Sequence, residues 1–388
     1  MKNIKLLNPV SDVWREVIDE AEYNLSENAE NPDAIIVRSF DMHGYPVDDS
    51  IWAVARAGVG VNNIPLDELA EKGVVVFNSP GANANAVKEL VLAGLFLAGR
   101  DISAGISWAN GLKGTEDIEK QVEKGKKAFV GPEIQGKTLG VIGLGAIGLL
   151  VANAASALGM NVLGYDPYIS VDNAWKLSRA VKHAKSEEEV VANADYLTIH
   201  VPLTDETRGK IDAAFLAKMK PGAALLNFAR GELAVCDDVI AALESGHLRR
   251  YVCDFPTEKL LGLKNVVCVP HLGASTPESE DNCVRMVAAQ LDDFFKTGSI
   301  SHSVNFPDYD AGALTSPRVI VFHKNVPNVV SSVTSRVSAR NINISNMLNR
   351  SKGVNAVTVL DLDGVPTPAL INEISALETV YRVRVLGV

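Results

Sequence analysis

The sequence predicts an α/β protein in three parts: a Rossmann-type doubly wound parallel sheet, a second, flavodoxin-like α/β domain, and a C-terminal ferredoxin-like βαββαβ unit. Three observations predict it. Short apolar runs of strand length alternate with helical patterns as far as residue 269, the order that builds parallel sheets. Residues 136–148 read GKTLGVIGLGAIG, an apolar run and then G-x-G-x-x-G, and an Ala/Leu-rich stretch follows. Beyond residue 316 the pattern becomes strand, helix, strand, strand, helix, strand.

The chain has 388 residues, enough for two or three domains. We expect one domain from residues 1–82 and 283–310, a second from 83–282 and a third from 317–388. In the first, runs at 4–8, 34–39, 51–57 and 74–78 read as strands, with helices at 10–23 and 65–72. Residues 83–108 read as one long helix and 111–136 as a charged surface connection. In the second, strands are expected at 138–142, 161–165, 196–200, 223–228, 250–254 and 266–269, giving a six-stranded sheet. Helices fit 146–158, 212–219, 236–245 and 276–296, and Ser186 with Glu189 has the form of a capping box. Residues 299–316 are rich in Ser, Pro, Asp and Gly and read as a linker. In the third, strands at 318–323, 342–349, 355–362 and 380–386 flank helices at 328–339 and 367–377.

Hydrophobic residues make up 47% and charged residues 22%, as in soluble globular proteins. A net charge of −10 argues against a general nucleic-acid or anionic-membrane surface. The four cysteines, Cys236, Cys253, Cys268 and Cys283, form no C-x-x-C and read as buried reduced thiols of a cytoplasmic protein. No metal-ligand spacing stands out. The N-terminus places Asn, Pro and Asp too early for a signal peptide, and no apolar run is long enough to span a bilayer.

Strand, glycine turn and helix form the arrangement that holds a dinucleotide pyrophosphate. Gly143 permits the tight turn, Gly145 lets the backbone approach the phosphates and Gly148 lets helix and strand pack closely. The next apolar run ends in Asp166, where a ribose-binding acid is expected, with no adjacent Arg. A carboxylate accepts hydrogen bonds from the ribose hydroxyls of NAD and repels the 2′-phosphate of NADP. Polar residues also close other predicted strands of this sheet: His200, Arg230 and Asp254.

Hydride transfer from a 2-hydroxy acid needs a cation for the substrate carboxylate, a base near neutral pKa and a carboxylate to orient that base. Arg230 follows a buried strand in NFARGEL, His271 stands in PHLGAST and Glu258 in DFPTEK. Read alone, Arg230 is a surface charge, His271 a structural turn residue and Glu258 a solvated loop carboxylate.

GLGAIG, NFARGEL, DFPTE and PHLGAST, in this order, resemble the D-isomer-specific 2-hydroxyacid dehydrogenases. VRSF, ARAGVGVNNI and NSPGANANAVKEL are similar to the same family's first domain. The resemblance runs to about Phe306. It implies that Arg230 binds the substrate carboxylate, that His271 exchanges the hydroxyl proton and that Glu258 pairs with His271. The family usually has one more residue between its Asp and Glu than lies between Asp254 and Glu258. Matching Phe-Pro-Thr-Glu favours Glu258 over Lys259. For NAD the resemblance implies contacts from Gly143, Gly145, Ala146, Ile147, Gly148, Asp166, His200, Val201, Pro202, Phe228, Ala229, Arg230, Asp254, His271, Gly273 and Ala274. For substrate it implies Arg38, Ser39, Arg56, Gly58, Val59, Gly60 and Asn83, although Gly58 and Gly60 alone read as a tight turn.

The tail looks like an ACT domain, a ferredoxin-like regulatory unit found on the family's 3-phosphoglycerate-oxidising branch. That resemblance implies 3-phosphoglycerate as substrate, L-serine as effector at His323, Asn325 and Asn343, and a homodimer or tetramer. Asn328 stands where serine-sensing tails carry Gly, so a purely dimerising tail is the alternative. Glyoxylate or hydroxypyruvate reduction, and a non-catalytic NAD-sensing scaffold, are the competing functions.

Overall fold

The computed structural model describes residues 1–387, so the last residue of the expected 317–388 unit lies outside the described residues. The chain divides into two compact units, Met1–Ala82 with Glu280–Val388, and Asn83–Ser279.

The first unit opens with β1 (Lys2–Leu6), β2 (Tyr23–Ser26), β3 (Ala34–Val37), β4 (Ala53–Arg56), α1 (Leu66–Glu71) and β5 (Val75–Phe77). The strands form a parallel sheet in the order β2-β1-β3-β4-β5. Alternation along each strand buries both faces. Ile4, Ile36, Ala55 and Phe77 enter one core, and Ile35, Val37, Val54 and Val76 the other. The expected helix at 10–23 is only a short 3₁₀ turn, Asp12–Glu16. Trp14 and Ile18 still bury as the periodicity demands, but Tyr23–Ser26 is drawn off to pair with β1.

The second unit begins with α2 (Ala84–Gly99) and α3 (Ile102–Gly111), two helices bent by 71° where one was expected. The expected surface connection holds α4 (Ile118–Gly125) and a 3₁₀ turn. Then follow β6 (Thr138–Ile142), α5 (Ala146–Ala157), β7 (Asn161–Tyr165), α6 (Val171–Lys176), β8 (Lys182–His183), α7 (Glu187–Asn193), β9 (Tyr196–Ile199), α8 (Ala213–Ala217), β10 (Ala223–Asn227), α9 (Cys236–Glu244), β11 (Leu248–Cys253) and β12 (Val266–Cys268). The sheet is wholly parallel, β12-β11-β10-β9-β6-β7-β8, so it has seven strands where six were expected; β8 is the addition. Leu139, Val141, Leu226 and Val252 fill one face, and Leu197, Ile199, Leu225 and Cys253 the other. Ser186 caps α7 by accepting from the Glu189 amide at 3.2 Å, and Glu189 reaches back to the Lys185 amide at 2.7 Å.

The remaining elements are α10 (Pro277–Thr297), β13 (Arg318–Lys324), α11 (Val329–Ser338), β14 (Ile344–Lys352), β15 (Asn355–Leu362), α12 (Pro368–Ser375) and β16 (Val380–Leu386). The four strands form an antiparallel sheet, β14-β15-β13-β16, the βαββαβ order expected. Val319, Val321 and Leu360 pack under α11 and α12 with Val333 and Leu370. The opposite face is covered as well: Ile320, Phe322, Val357 and Val359 join the core of Phe77, Phe294 and Phe306. Arginines stitch this seam. Arg384 donates to the carbonyls of Phe294 (2.8 Å) and Phe295 (3.1 Å) at the end of α10. Arg318 donates to Thr297 O at 2.7 Å and pairs with Asp361 at 2.5 Å. Arg382 stacks on Trp52, 3.4 Å from the ring centroid. Among the described residues no single helix is long and apolar enough to cross a membrane.

Candidate active site

Because every strand of the second unit's sheet runs the same way, the ends of β6, β7, β10, β11 and β12 lie along one edge. Gly143 and Gly145 sit between β6 and α5 on that edge, and Gly148 lies in the first turn of α5. Gly143 has φ +89°, and a Cβ on Gly148 would collide with the Gly143 carbonyl oxygen. Nothing lies within 4 Å of a Cβ placed on Gly145, so the start of α5 is open to a ligand. Ala146 is exposed and Ile147 half-buried beside it. Asp166 ends β7. Its Oδ2 accepts from the Leu144 amide and its Oδ1 from the Tyr168 amide, each at 2.8 Å. Each oxygen keeps acceptor capacity for a further donor.

His200 follows β9. Thr198 Oγ1 lies 3.0 Å from its Nε2, while its buried Nδ1 has no partner. Burial pushes its pKa down to about 4, so the ring is neutral. Val201 is half-buried and Pro202 exposed. The Phe228 ring lies in the core against α2, leaving its backbone for a ligand. Ala229 and Arg230 form the turn after β10, which Asn227 organises. The Asn227 amide donates to Arg230 O at 2.9 Å, and its Oδ1 accepts from the Ala229 amide at 3.2 Å. Sequence reasoning passed over Asn227, although an Asn closing a strand before a Gly-containing turn is a local signal.

Asp254, at the end of β11, is 1% exposed, and its Oδ1 has no hydrogen-bond partner. Burial raises its pKa, opposed by nearby His271 and, more weakly, by Arg230. Arg230, Asp254 and His271 follow β10, β11 and β12, so the three lie on one sheet edge. Gly273 is buried, with room for a Cβ only 3.2 Å from Val87, and Ala274 is exposed. Arg230, Glu258 and His271 are all exposed, and Arg230 Nη1 donates to Ala229 O at 2.7 Å. The expected Glu258–His271 pair is not formed: no hydrogen bond or ion pair joins them among the described residues. The His271 ring packs instead on Phe255, with centroids 4.8 Å apart. Lys259 is bound to Asp237 at 2.7 and 2.9 Å, which takes it out of competition for the imidazole.

In the first unit, Arg38 and Ser39 follow β3, Arg56 is the last residue of β4, and Gly58, Val59 and Gly60 follow it. Asn8 Oδ1 accepts from the amides of Arg38, Ser39 and Phe40, each at 3.0 Å, and so shapes that loop. Sequence reasoning missed this residue. The Arg56 guanidinium lies over Gly58, where a Cβ would overlap it, and its buried Nε has no partner. Arg38 pairs with Glu280. Asn78 donates to Val59 O at 2.7 Å. Asn83 is half-buried at the start of α2 and caps it with no side-chain bond.

The expected effector residues are not presented as a pocket. His323 is 2% exposed, and both ring nitrogens are engaged, with Lys324 O and Thr358 Oγ1 at 2.8 Å each. The Asn325 side chain donates to Gly353 O at 3.0 Å, and the Asn343 backbone N–H to Asp363 Oδ1 at 2.9 Å. Asn328 adopts φ +69°, the left-handed conformation a Gly would supply, so the substitution leaves the turn intact.

Residues 107–273 match the D-isomer specific 2-hydroxyacid dehydrogenase, NAD binding domain. The matched residues lie within the second unit and make up most of it. The chain is 36% identical over 314 residues to a D-3-phosphoglycerate dehydrogenase of Methanocaldococcus jannaschii, covering 79% of this chain and 57% of the relative. It is 34% identical over 317 residues to one of Bacillus subtilis, covering 79% and 58%. The chain thus spans less than two thirds of the length of these curated relatives. Among solved structures, it is similar to NAD+-bound 3-phosphoglycerate dehydrogenase of Entamoeba histolytica (TM-score 0.58, 26% identity, 78% of this chain and 98% of that one). It is also similar to D-mandelate dehydrogenase of Rhodotorula graminis (TM-score 0.67, 25% identity, 80% and 99%). The site's chemistry fits the cofactor: an orphaned buried carboxylate oxygen on Asp254, an open helix start at Gly145 and the Asp166 carboxylate at the edge.

Proposed function

We propose that this chain oxidises 3-phospho-D-glycerate to 3-phosphooxypyruvate with NAD, the first step of L-serine biosynthesis. The observation that carries the reading is that Arg230, Asp254 and His271 follow β10, β11 and β12 of one parallel sheet, on the same edge as the glycine loop. The resemblance to D-3-phosphoglycerate dehydrogenases supports the substrate.

Bound NAD supplies the acceptor for the substrate's C2 hydride. Gly145 leaves room for the pyrophosphate, Gly143 and Gly148 let the loop and α5 pack closely beneath it, and Asp166 receives ribose hydroxyls. Asp254 Oδ1, buried and unpartnered, accepts from the carboxamide. Arg230 holds the substrate carboxylate and polarises the C2 oxygen with the N–H groups that Ala229 leaves free. An imidazole nitrogen of His271 takes the C2 hydroxyl proton on oxidation and returns it on reduction. Glu258 stabilises the protonated ring, a role that requires its loop to move toward His271. Arg38 and Arg56 carry the positive charge the substrate phosphate needs beyond Arg230. Self-association rests on α3, a ten-residue helix with no buried residue and Ile106 58% exposed.

Initial rates with NAD and with NADP, across phosphoglycerate, glyoxylate and hydroxypyruvate, test this reading. Phosphoglycerate with NAD is expected to be fastest. His271→Ala should lower kcat by roughly 10²–10⁴-fold. Faster turnover of an unphosphorylated acid overturns the substrate, activity untouched by His271→Ala overturns the mechanism, and no turnover of any of these acids favours a non-catalytic NAD-sensing scaffold. Because His323 is sealed, L-serine is expected to leave the rate unchanged.

A further inference from the structure

We infer that the NAD-binding domain carries a second site, for a small carboxylate or phosphate anion, at the N-terminal edge of its sheet, with the Arg250 guanidinium as the recognition group. Gly222, Leu248 and Asn265 stand at the starts of β10, β11 and β12, at the opposite end of the strands from the glycine loop. There a cavity of about 350 Å³ is lined by Asp101, Gly131, Gly222, Arg249, Arg250 and Asn265, among others.

Arg250 is 8% exposed. Its Nη1 is fixed, donating to Leu97 O at 3.1 Å and to Asp101 Oδ1 at 3.2 Å. Its Nε is fully buried and has no partner, and its Nη2 makes no hydrogen bond among the described residues. The N–H groups of Nε and Nη2 point the same way from one edge of a guanidinium. That edge is the fork that matches two oxygens of a carboxylate or phosphate. A buried cationic donor left unpaired is costly, and proteins rarely retain one without an acceptor.

The neighbours reinforce the match. Arg249 is immobilised in the same cavity wall, with Nε on Gly222 O at 3.1 Å and Nη1 on Ala98 O at 2.6 Å. Two guanidiniums against the single carboxylate of Asp101 leave one positive charge. That carboxylate engages only Nη1 of Arg250, so Nε and Nη2 are left without a partner. The volume lies at the lower end of small-molecule pockets and suits a small anion better than a dinucleotide.

The test is calorimetric titration of inorganic phosphate, and separately of succinate, into the full chain. The chain is kept saturated with NADH and carries Arg38→Ala, Arg56→Ala and Arg230→Ala, so that the glycine loop and the arginines assigned to the substrate contribute little. Two further variants are compared in that background. Arg250→Lys keeps the charge but removes the fork. Asn265→Asp places a carboxylate on the cavity wall at a residue whose φ of +69° Asp tolerates, so it keeps the test decisive if Arg250→Lys fails to fold. The expected result is one saturable component, weakened about tenfold or more by Arg250→Lys and at least about threefold by Asn265→Asp, with NADH fluorescence titration unchanged. Tighter phosphate than succinate assigns a phosphorylated ligand, and the reverse a carboxylic acid; either supports the site. No saturable component, or equal affinity in Asn265→Asp, overturns it. So does a loss of dimer mass in Arg250→Lys with no anion component, since a second copy then fills the fork.

Discussion

Replacing Gly148 and Gly145 by Ala, one at a time, separates folding from cofactor recognition in a way the loop geometry makes quantitative. A Cβ on Gly148 meets the Gly143 carbonyl oxygen inside van der Waals contact and comes within 3.4 Å of His200 Cδ2. The first obstacle is backbone, so the start of α5 must move away from the loop. Overpacking of this kind costs about 1–3 kcal/mol. For a unit of this size each kcal/mol lowers Tm by roughly 2–4 °C, so Gly148→Ala should melt about 2–12 °C lower. If the displaced helix start also carries the pyrophosphate donors, a similar loss in binding weakens NADH roughly 5–150-fold. Gly145→Ala differs. Its φ is −67° and nothing lies within 4 Å of the new methyl group, so Tm should not change. NADH affinity should still fall, because that methyl occupies the space the phosphates need. Paired thermal melts and NADH fluorescence titrations read both effects. A Gly145→Ala protein that melts normally and binds NADH like the parent would refute the placement of the pyrophosphate at this loop.

Two other outcomes are expected. Arg384→Ala removes two charge-assisted hydrogen bonds to the end of α10, at roughly 1.5 kcal/mol each, so the first unit should lose about 3 kcal/mol and melt roughly 6–12 °C lower. Arg384→Met, which keeps the stem packed on Phe294 and Phe295, should lose less, and equal losses would count against the hydrogen bonds. His200 has a folded pKa of about 4 against an unfolded value near 6.5, so the unfolded chain binds the extra proton in that window. Stability of the second unit should therefore fall as pH drops from 6.5 to 4, by at most about 3 kcal/mol. His200→Asn should flatten that slope in urea melts.

Much of the fold was legible because strand periodicity and glycine spacing are local. What escaped was set by distant partners. The break between α2 and α3 carries no proline. It is held by Arg249 and Arg250, some 150 residues downstream, which bind the carbonyls of Ala98 and Leu97. Residues 10–23 have helical periodicity, yet the pairing of Tyr23–Ser26 with β1 overrides it. Strand β8 is two exposed residues with no apolar run to announce it. At the site, the chemistry-bearing residues could be read at strand ends, but the burial of Asp254 and the packing of Phe255 on His271 could not, since both depend on how neighbouring loops close. The engagement of both His323 nitrogens was equally illegible, since Thr358 lies 35 residues away in the chain.

The core shared between the C-terminal sheet and the first unit has a consequence for inheritance. A module hung on a flexible linker can be gained or lost by recombination with little harm to its host. Here, severing the chain after residue 316 would strip Phe294 and Phe306 of their cover and leave the 21-residue α10 without its arginine cap. Substitutions on either side of the seam are bound to answer one another over generations. A calorimeter should see Met1–Ala82 and the tail melt in one cooperative step, as a single foldon.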